Sequence, residues 1–285
     1  MQTKVKEKFS PSSLFMLILF SVLAVLMLFP LFALFLASLK PATELFRYGL
    51  NVRLDFDIMS LHNYRSIFSG KGGAEHYFVW YKNSVLITVI FTLISLLLSS
   101  MVGYGLAMYR FKGRGLIFTL VLVVMMIPVE IILLPLYKLT VGLKLINTIW
   151  GIILPFAVAP MPIFFFRQFA LGLPKDFMDA GRIDGCTEYG IFFRIMVPLM
   201  APAFGSITIL QAMNSWNNFL WPLIVLRTTE QFTLPIGLAS FVSPLGSNYE
   251  ALIAGAVLAI LPILLLFLFF QRYFIEGLTV GGVKG

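Results

Sequence analysis

Long apolar runs alternate with short polar breaks along this chain. A helix rises 1.5 Å per residue, so crossing a hydrocarbon core about 30 Å thick takes about 20 apolar residues. Lys8 to Lys40 encloses 31 uncharged residues, Lys82 to Arg110 encloses 27, Lys144 to Arg167 encloses 22, Arg194 to Arg227 encloses 32 and Glu250 to Arg272 encloses 21. Each is long enough to span. A sixth run, between Arg114 and Lys138, is broken only by Glu130. The stretch from Glu230 to Glu250 is equally free of charge, but its two prolines, two glycines and six Ser, Thr, Asn or Gln residues read as a loop.

The pattern predicts an all-α integral membrane protein, one transmembrane domain over residues 1–285 with six helices at 12–39, 83–109, 115–137, 145–167, 202–226 and 251–271. Between them lie an extracytoplasmic loop at 40–82 and a cytoplasmic loop at 172–198, with a cytoplasmic tail at 272–285. Lys4, Lys6 and Lys8 precede an apolar run at least twice as long as a secretory core of about 7–15 residues, so the run is expected to stay as the first helix. Lysines and arginines set the orientation. With both termini inside, twelve face the cytoplasm and nine face out, six of the nine in or beside the long first loop, where such bias has little effect.

Composition agrees with the pattern. The chain is 59% hydrophobic and 12% charged, against roughly 45–50% and 25% in soluble domains. That excludes a disordered chain, and the single Cys186 excludes a disulfide scaffold. The net charge of +8 follows from topology and an anionic inner leaflet, so no nucleic-acid partner is expected. His62 and His76 lack metal-site spacing, and Ser69-Gly-Lys-Gly-Gly73 lacks the spacing of a phosphate loop. No catalytic residues, no metal site and no bound cofactor are expected, and the chain is not read as an enzyme.

Charge inside the spans is scarce. Glu130 is the one candidate for a functional intramembrane acid, and on a straight helix it would stand about 24 Å from Arg114. Its other reading is a carboxylate near the outer interface or paired within the bundle. Eight prolines (Pro30, Pro128, Pro135, Pro155, Pro160, Pro162, Pro222 and Pro262) fall inside the expected spans, where each kinks its helix unless neighbours compensate; for any single one, toleration within a membrane helix is the expected reading. The most polar span is the fifth, with Gln211, Asn214 and Asn218 on one stripe and Asn217 one turn from Trp221. Amides in lipid need partners, so with Trp216 this stripe faces either a solute path or a neighbouring subunit.

The stretch from Arg167 to Arg194, which covers most of the loop at 172–198, holds eight of the 34 charges. Pro174 suits the first turn of a helix, Asp176 and Asp179 complement its positive end, Gly185 suits a left-handed cap, and Thr187 can start a second helix. Phe177, Ala180, Gly181 and Asp184 share one face at i, i+3, i+4 and i+7, with two small residues at its centre for close approach of another protein.

This loop resembles the cytoplasmic signature of ATP-binding-cassette importer permeases. Asp179-Ala180-Gly181 stands for the opening Glu-Ala-Ala, Gly185 follows after three residues, and Ile195-Met-Val-Pro198 after nine more. Asp179, Gly181 and Val197 are conservative departures from that pattern. Asn63-Tyr64, Trp80-Tyr-Lys-Asn-Ser84, Ile127-Pro-Val-Glu130, Trp216-Asn-Asn-Phe-Leu-Trp-Pro222 and the tail from Gln271 to Gly285 are similar to the second permease of carbohydrate importers related to the maltose transporter.

The resemblance implies half of a translocation pore in a prokaryotic cell membrane. Implied partners are a second, different permease, two ATPase subunits that hold ATP and magnesium, and an extracytoplasmic solute-binding protein that delivers a sugar. Asp179, Ala180, Gly181, Asp184, Gly185, Ile195 and Pro198 would couple the pore to the ATPase. Gly277, Gly281, Gly282 and Lys284 of the tail would reach towards that interface, the alternative being a frayed end. A permease for a non-sugar solute, a stand-alone secondary carrier and a membrane scaffold are the competing readings.

Overall fold

The computed structural model describes residues 11–49, 52–71, 73–243 and 246–279. Helices α1 (Pro11–Ser38), α2 (Ala42–Tyr48) and α3 (His62–Phe68) come first, followed by α4 (Tyr77–Met108), α5 (Arg114–Met125), α6 (Val129–Gly142), α7 (Ile149–Ile153) and α8 (Pro160–Leu171). Three short helices, α9 (Asp176–Ile183), α10 (Glu188–Ile191) and α11 (Val197–Leu199), lead into α12 (Ala201–Trp216), α13 (Leu220–Val225) and α14 (Leu234–Ser240). A two-residue antiparallel ladder of β1 (Val242–Ser243) and β2 (Gly246–Ser247) precedes α15 (Tyr249–Thr279). Apart from that ladder the described residues are helical or irregular.

Among the described residues, α1, α4 and α15 are long and apolar enough to cross a membrane alone. The spans expected at 115–137, 145–167 and 202–226 are not straight. α5 and α6 meet at 103°, α7 with its 3₁₀ extension meets α8 at 45°, and the third is interrupted between Trp216 and Leu220; ahead of it the segment Glu188–Leu199 meets α12 at 79°. Proline accounts for much of this, mostly by marking where helices start rather than by kinking them. Only Pro30, Pro135 and Pro262 lie inside helices. Pro128 is the N-cap of α6, Pro155 opens a 3₁₀ turn, and Pro160, Pro162 and Pro222 occupy first turns. A first-turn proline lacks an N–H that would have no partner there anyway, so it costs little and marks a start.

The chain divides into two compact units. One comprises the described parts of Met1–Glu75 and Phe241–Leu258. Within it Asn63 closes the end of α1: its buried amide donates to the carbonyls of Ser38 and Lys40, each at 2.9 Å. These are the acceptors a helix end leaves unpaired. Tyr64 reaches the Ser38 hydroxyl at 2.6 Å, and Lys40 Nζ donates to the Arg53 carbonyl at 2.7 Å. The Asn63-Tyr64 pair is thus a helix-end clasp.

The other unit comprises His76–Ser240 and the described part of Ala259–Gly285. α4 packs against both α8 and α12, and against α8 through Gly103, where a methyl group would stand 2.7 Å from Phe166 Cβ and 2.8 Å from the Ile163 carbonyl oxygen. Tyr104, Phe166, Phe169, Met196, Met200 and Ile207 form one apolar core, and Ile87, Ile153, Trp221 and Val225 belong to a second. The outward faces remain apolar: Phe15, Met27, Leu116 and Ile131 are all more than three-fifths exposed. Such faces suit hydrocarbon, provided helices satisfy their own backbone.

Two further departures share a cause. α4 begins at Tyr77, inside the stretch read as a loop, and α14 forms within 231–249, also read as a loop. The first turns of α4 hold that second segment. Trp80 Nε1 donates to the Thr229 carbonyl at 2.7 Å, Asn83 Nδ2 donates to those of Glu230 and Phe232 at 2.8 and 3.0 Å, and Ser84 Oγ accepts from the Leu234 amide at 2.8 Å. Pairings across about 150 residues have no local signal.

Candidate functional site

Two regions carry chemistry. The first is the loop from α9 to α11. Pro174 lies outside the helix, which begins at Asp176 with Lys175 as N-cap, so the expected start shifts by two residues. Asp176 and Asp179 occupy its first turn. The helix ends as the sequence suggests. Gly185 has φ +77°, its amide donates to the Arg182 carbonyl at 3.1 Å, and the Cys186 amide donates to that of Gly181 at 2.9 Å. These are the two bonds of a Schellman cap, which favours glycine because side chains strain the left-handed region. Thr187 then caps α10, its hydroxyl accepting from the Gly190 amide at 3.1 Å.

The face assigned to a partner needs one correction. Gly181 is buried, and a methyl there would stand 2.7 Å from Ile195 Cδ1 and 3.0 Å from Ile191 Cγ1. Its small size serves packing of α9 on a π-helical turn, Phe192–Met196, of the same chain. Phe177, Ala180 and Asp184 stay exposed on the other side, joined by Ile183, while Ile195 is half-buried and Pro198 exposed. Two faces therefore replace one: Met178 and Gly181 inward, Ala180 and Ile183 outward.

Three of the loop charges, Asp179, Arg182 and Glu188, are paired within the chain. Arg182 bonds both oxygens of Glu188, at 2.8 and 3.2 Å, and reaches Asp179 at 3.1 Å. The Tyr109 hydroxyl, one residue past the end of α4, donates to Glu188 Oε2. Arg182 first and Tyr109 second hold the Glu188 carboxyl below the usual carboxylate range, so it is ionised at neutral pH. Burial, then Glu188, pushes the Tyr109 phenol up and keeps it a donor. Tyr109 was not among the residues expected from sequence; it lies 79 positions from its partner.

The second region is a cavity of about 460 Å³ bounded by α4, α6, α7 and α12–α13. Gln211, Asn214, Asn217, Asn218 and Trp221 line it together with Glu130. The stripe expected on one continuous helix is formed another way. α12 ends at Trp216, Asn217 is its C-cap, and the helix resumes at Leu220, so Asn218 enters the wall from a break. Glu130 is likewise no longer 24 Å up a straight helix, because the 103° turn places it in the first turn of α6. Trp216 separates from the group: its Nε1 donates to the Ala259 carbonyl at 3.1 Å, and its ring meets Tyr81 edge-on.

Rigid and free groups alternate along the wall. Gln211 is buried and donates to Ser95 Oγ at 2.8 Å, and Trp221 is buried and donates to the Gly151 carbonyl at 3.0 Å. The side-chain amides of Asn214 and Asn218 make no hydrogen bond among the described residues, and the Asn217 side chain uses only its amide nitrogen, on the Met213 carbonyl at 3.0 Å. Unpaired amides beside the aromatic faces of Phe91, Phe156 and Trp221 suit a ligand rich in hydroxyl groups.

Residues 95–280, which include the loop and most of the cavity wall, match the family of binding-protein-dependent transport system inner membrane components. The chain belongs to this family. It is 59% identical over 278 residues to the arabinooligosaccharides transport system permease protein AraQ of Bacillus subtilis strain 168, covering 98% of each chain. It is 56% identical to the AraQ protein of Halalkalibacterium halodurans, covering 98% of this chain and all of that one, and 32% identical to the galactooligosaccharides permease GanQ of Bacillus subtilis, covering 95% of each. The fold is that of a chain in the crystal structure of a bacterial ABC transporter involved in import of the acidic polysaccharide alginate. The TM-score is 0.79 at 22% identity, covering 94% of this chain and all of that one.

This importer permease is therefore an inner membrane component. α15 continues through Thr279, so Gly277 lies in its last turns rather than in a separate tail. Gly281, Gly282 and Lys284 lie outside the described residues.

Proposed function

We propose that the chain is one half of the translocation pore of an ABC importer for an arabinooligosaccharide or closely related sugar. The 59% identity to AraQ over nearly the whole of both chains carries this reading. The chain crosses the membrane six times with both ends in the cytoplasm, counting α5 with α6, α7 with α8, and α12 with α13 as one crossing each. It works with a second, different permease, with two ATPase subunits that bind ATP and magnesium, and with an extracytoplasmic binding protein that presents the sugar.

The loop from Asp179 to Pro198 receives the ATPase motion. The exposed face of α9, with Phe177, Ala180, Ile183 and Asp184, docks on the ATPase, and the inward face with Gly181 transmits its displacement to the π-helical turn around Ile195. The Arg182, Glu188 and Tyr109 bonds support this reading because they join α9, α10 and the end of α4. The cavity is part of the sugar path. Free amides of Asn214 and Asn218 meet hydroxyls, and Trp221 and Phe156 offer apolar surface for sugar ring faces.

The test is uptake by the complete importer in proteoliposomes with loaded binding protein inside a buffer lacking other sugars. Arabinotriose is expected to enter with ATP inside and not without it. A complex that assembles and hydrolyses ATP but leaves arabinotriose outside would refute the sugar assignment; an ATPase that never co-purifies would refute the assembly.

A further inference from the structure

The cavity has a charge pattern that a sugar path does not by itself require. Glu130 is the sole formally charged side chain in the described lining, among amides, the Ser215 hydroxyl and aromatic rings. It sits in the first turn of α6, whose positive end favours a carboxylate there. The ion pairs among the described residues, Arg182 with Asp179 and with Glu188, lie in the distant loop and leave Glu130 without a cation. The wall therefore carries one uncompensated negative charge beside neutral groups that accept or donate.

We propose that Glu130 is a charge filter, which admits uncharged oligosaccharides and rejects sugars carrying a carboxylate. The inference rests on the cavity lying on the sugar path. An uncharged sugar can donate hydroxyl hydrogens to the exposed carboxylate; an acidic sugar instead brings a like charge up to it. Discrimination of this kind comes from the repulsive element, because amides and aromatic faces serve both ligands about equally. Like charges a few ångströms apart change binding by about tenfold or more in such a setting. The fold does not set this preference, since the alginate importer shares the fold and is named for an acidic polysaccharide.

The experiment compares two probes, arabinotriose and its aldonic acid, arabinotrionic acid, in the complete reconstituted importer. The acidic-to-neutral uptake ratio is measured for wild type, Glu130→Gln and Asn217→Lys with the same binding protein, so that protein's own preference cancels between variants. Removing the carboxylate is expected to raise the ratio about tenfold, and adding a cation to the same lining is expected to raise it in the same direction. A ratio held at the wild-type value in a variant that still carries arabinotriose overturns the filter. If neither variant transports, the ratio of probe affinities for the solubilised complex, by calorimetry, decides in the same way. Wild-type failure to carry arabinotriose from a loaded binding protein would instead sink the underlying sugar-path reading.

Discussion

The α9–α11 loop and the amide cavity belong to the same unit but are built on opposite plans. The loop is continuous in sequence, rich in charge and nearly closed on itself: Arg182 serves two carboxylates, Gly185 and Thr187 cap adjoining helices, and Gly181 fills a gap beside Ile195. The cavity draws on residues from Phe91 to Trp221 and holds one charge without a counter-charge. Its polar groups depend on two interruptions, the turn before α6 and the break after α12. A transmitting element gains from internal pairing because slack between its parts would dissipate motion. A solute site gains from groups left unpaired, since an amide already bonded has less to offer a ligand.

Substitutions that break the loop are expected to have the largest effects. Gly185→Pro removes a cap hydrogen bond and imposes a negative φ where the backbone stands at +77°, a cost of about 3 kcal/mol or more. ATP-driven uptake should fall to background with the chain still in the membrane, and wild-type uptake would remove the loop from the mechanism. Ala180→Trp adds bulk to the exposed face only, so the chain should fold while ATPase co-purification drops about tenfold, the scale of overpacking a close contact. Gly181→Ala probes the inward face instead. The nearest atom is the flexible end of Ile195, so a milder loss would separate the two faces.

Smaller effects sharpen the difference. Tyr109→Phe removes one bond to Glu188 and leaves Arg182 in place, so sugar carried per ATP hydrolysed should fall about fivefold at constant assembly. Asn214→Ala should weaken arabinotriose binding to the solubilised complex about threefold with coupling unchanged. Loss of assembly in that variant would reassign the amides to a contact with the partner permease. Trp221→Phe leaves the Gly151 carbonyl without its donor and should cost about 1 kcal/mol of stability in thermal unfolding of the solubilised chain.

Legibility followed the range of the interactions. The Gly185 cap and the Thr187 start were readable because a cap is written within five or six residues. Pro174 misplaced the start of α9 because proline is also comfortable just before a helix. The partner face was over-assigned: spacing puts Ala180 and Gly181 on neighbouring positions, but only the folded loop shows Ile191 and Ile195 pressing on one of them. Tyr109 was invisible, and Asn63, Trp80 and Asn83 could be noticed only as motif residues, because their bonds join segments far apart in sequence.

By itself the sequence determined membrane residence, the number of apolar stretches and the local grammar of the α9–α11 loop. These follow from transfer of side chains to lipid and from backbone rules that act within a turn or two. Tertiary structure alone decided which of those stretches break, which side of α9 turns inward, and that Glu130 shares a wall with Asn214 and Asn218. Those outcomes depend on packing between helices and on where prolines let a helix restart, and no pattern of period 3.6 contains either.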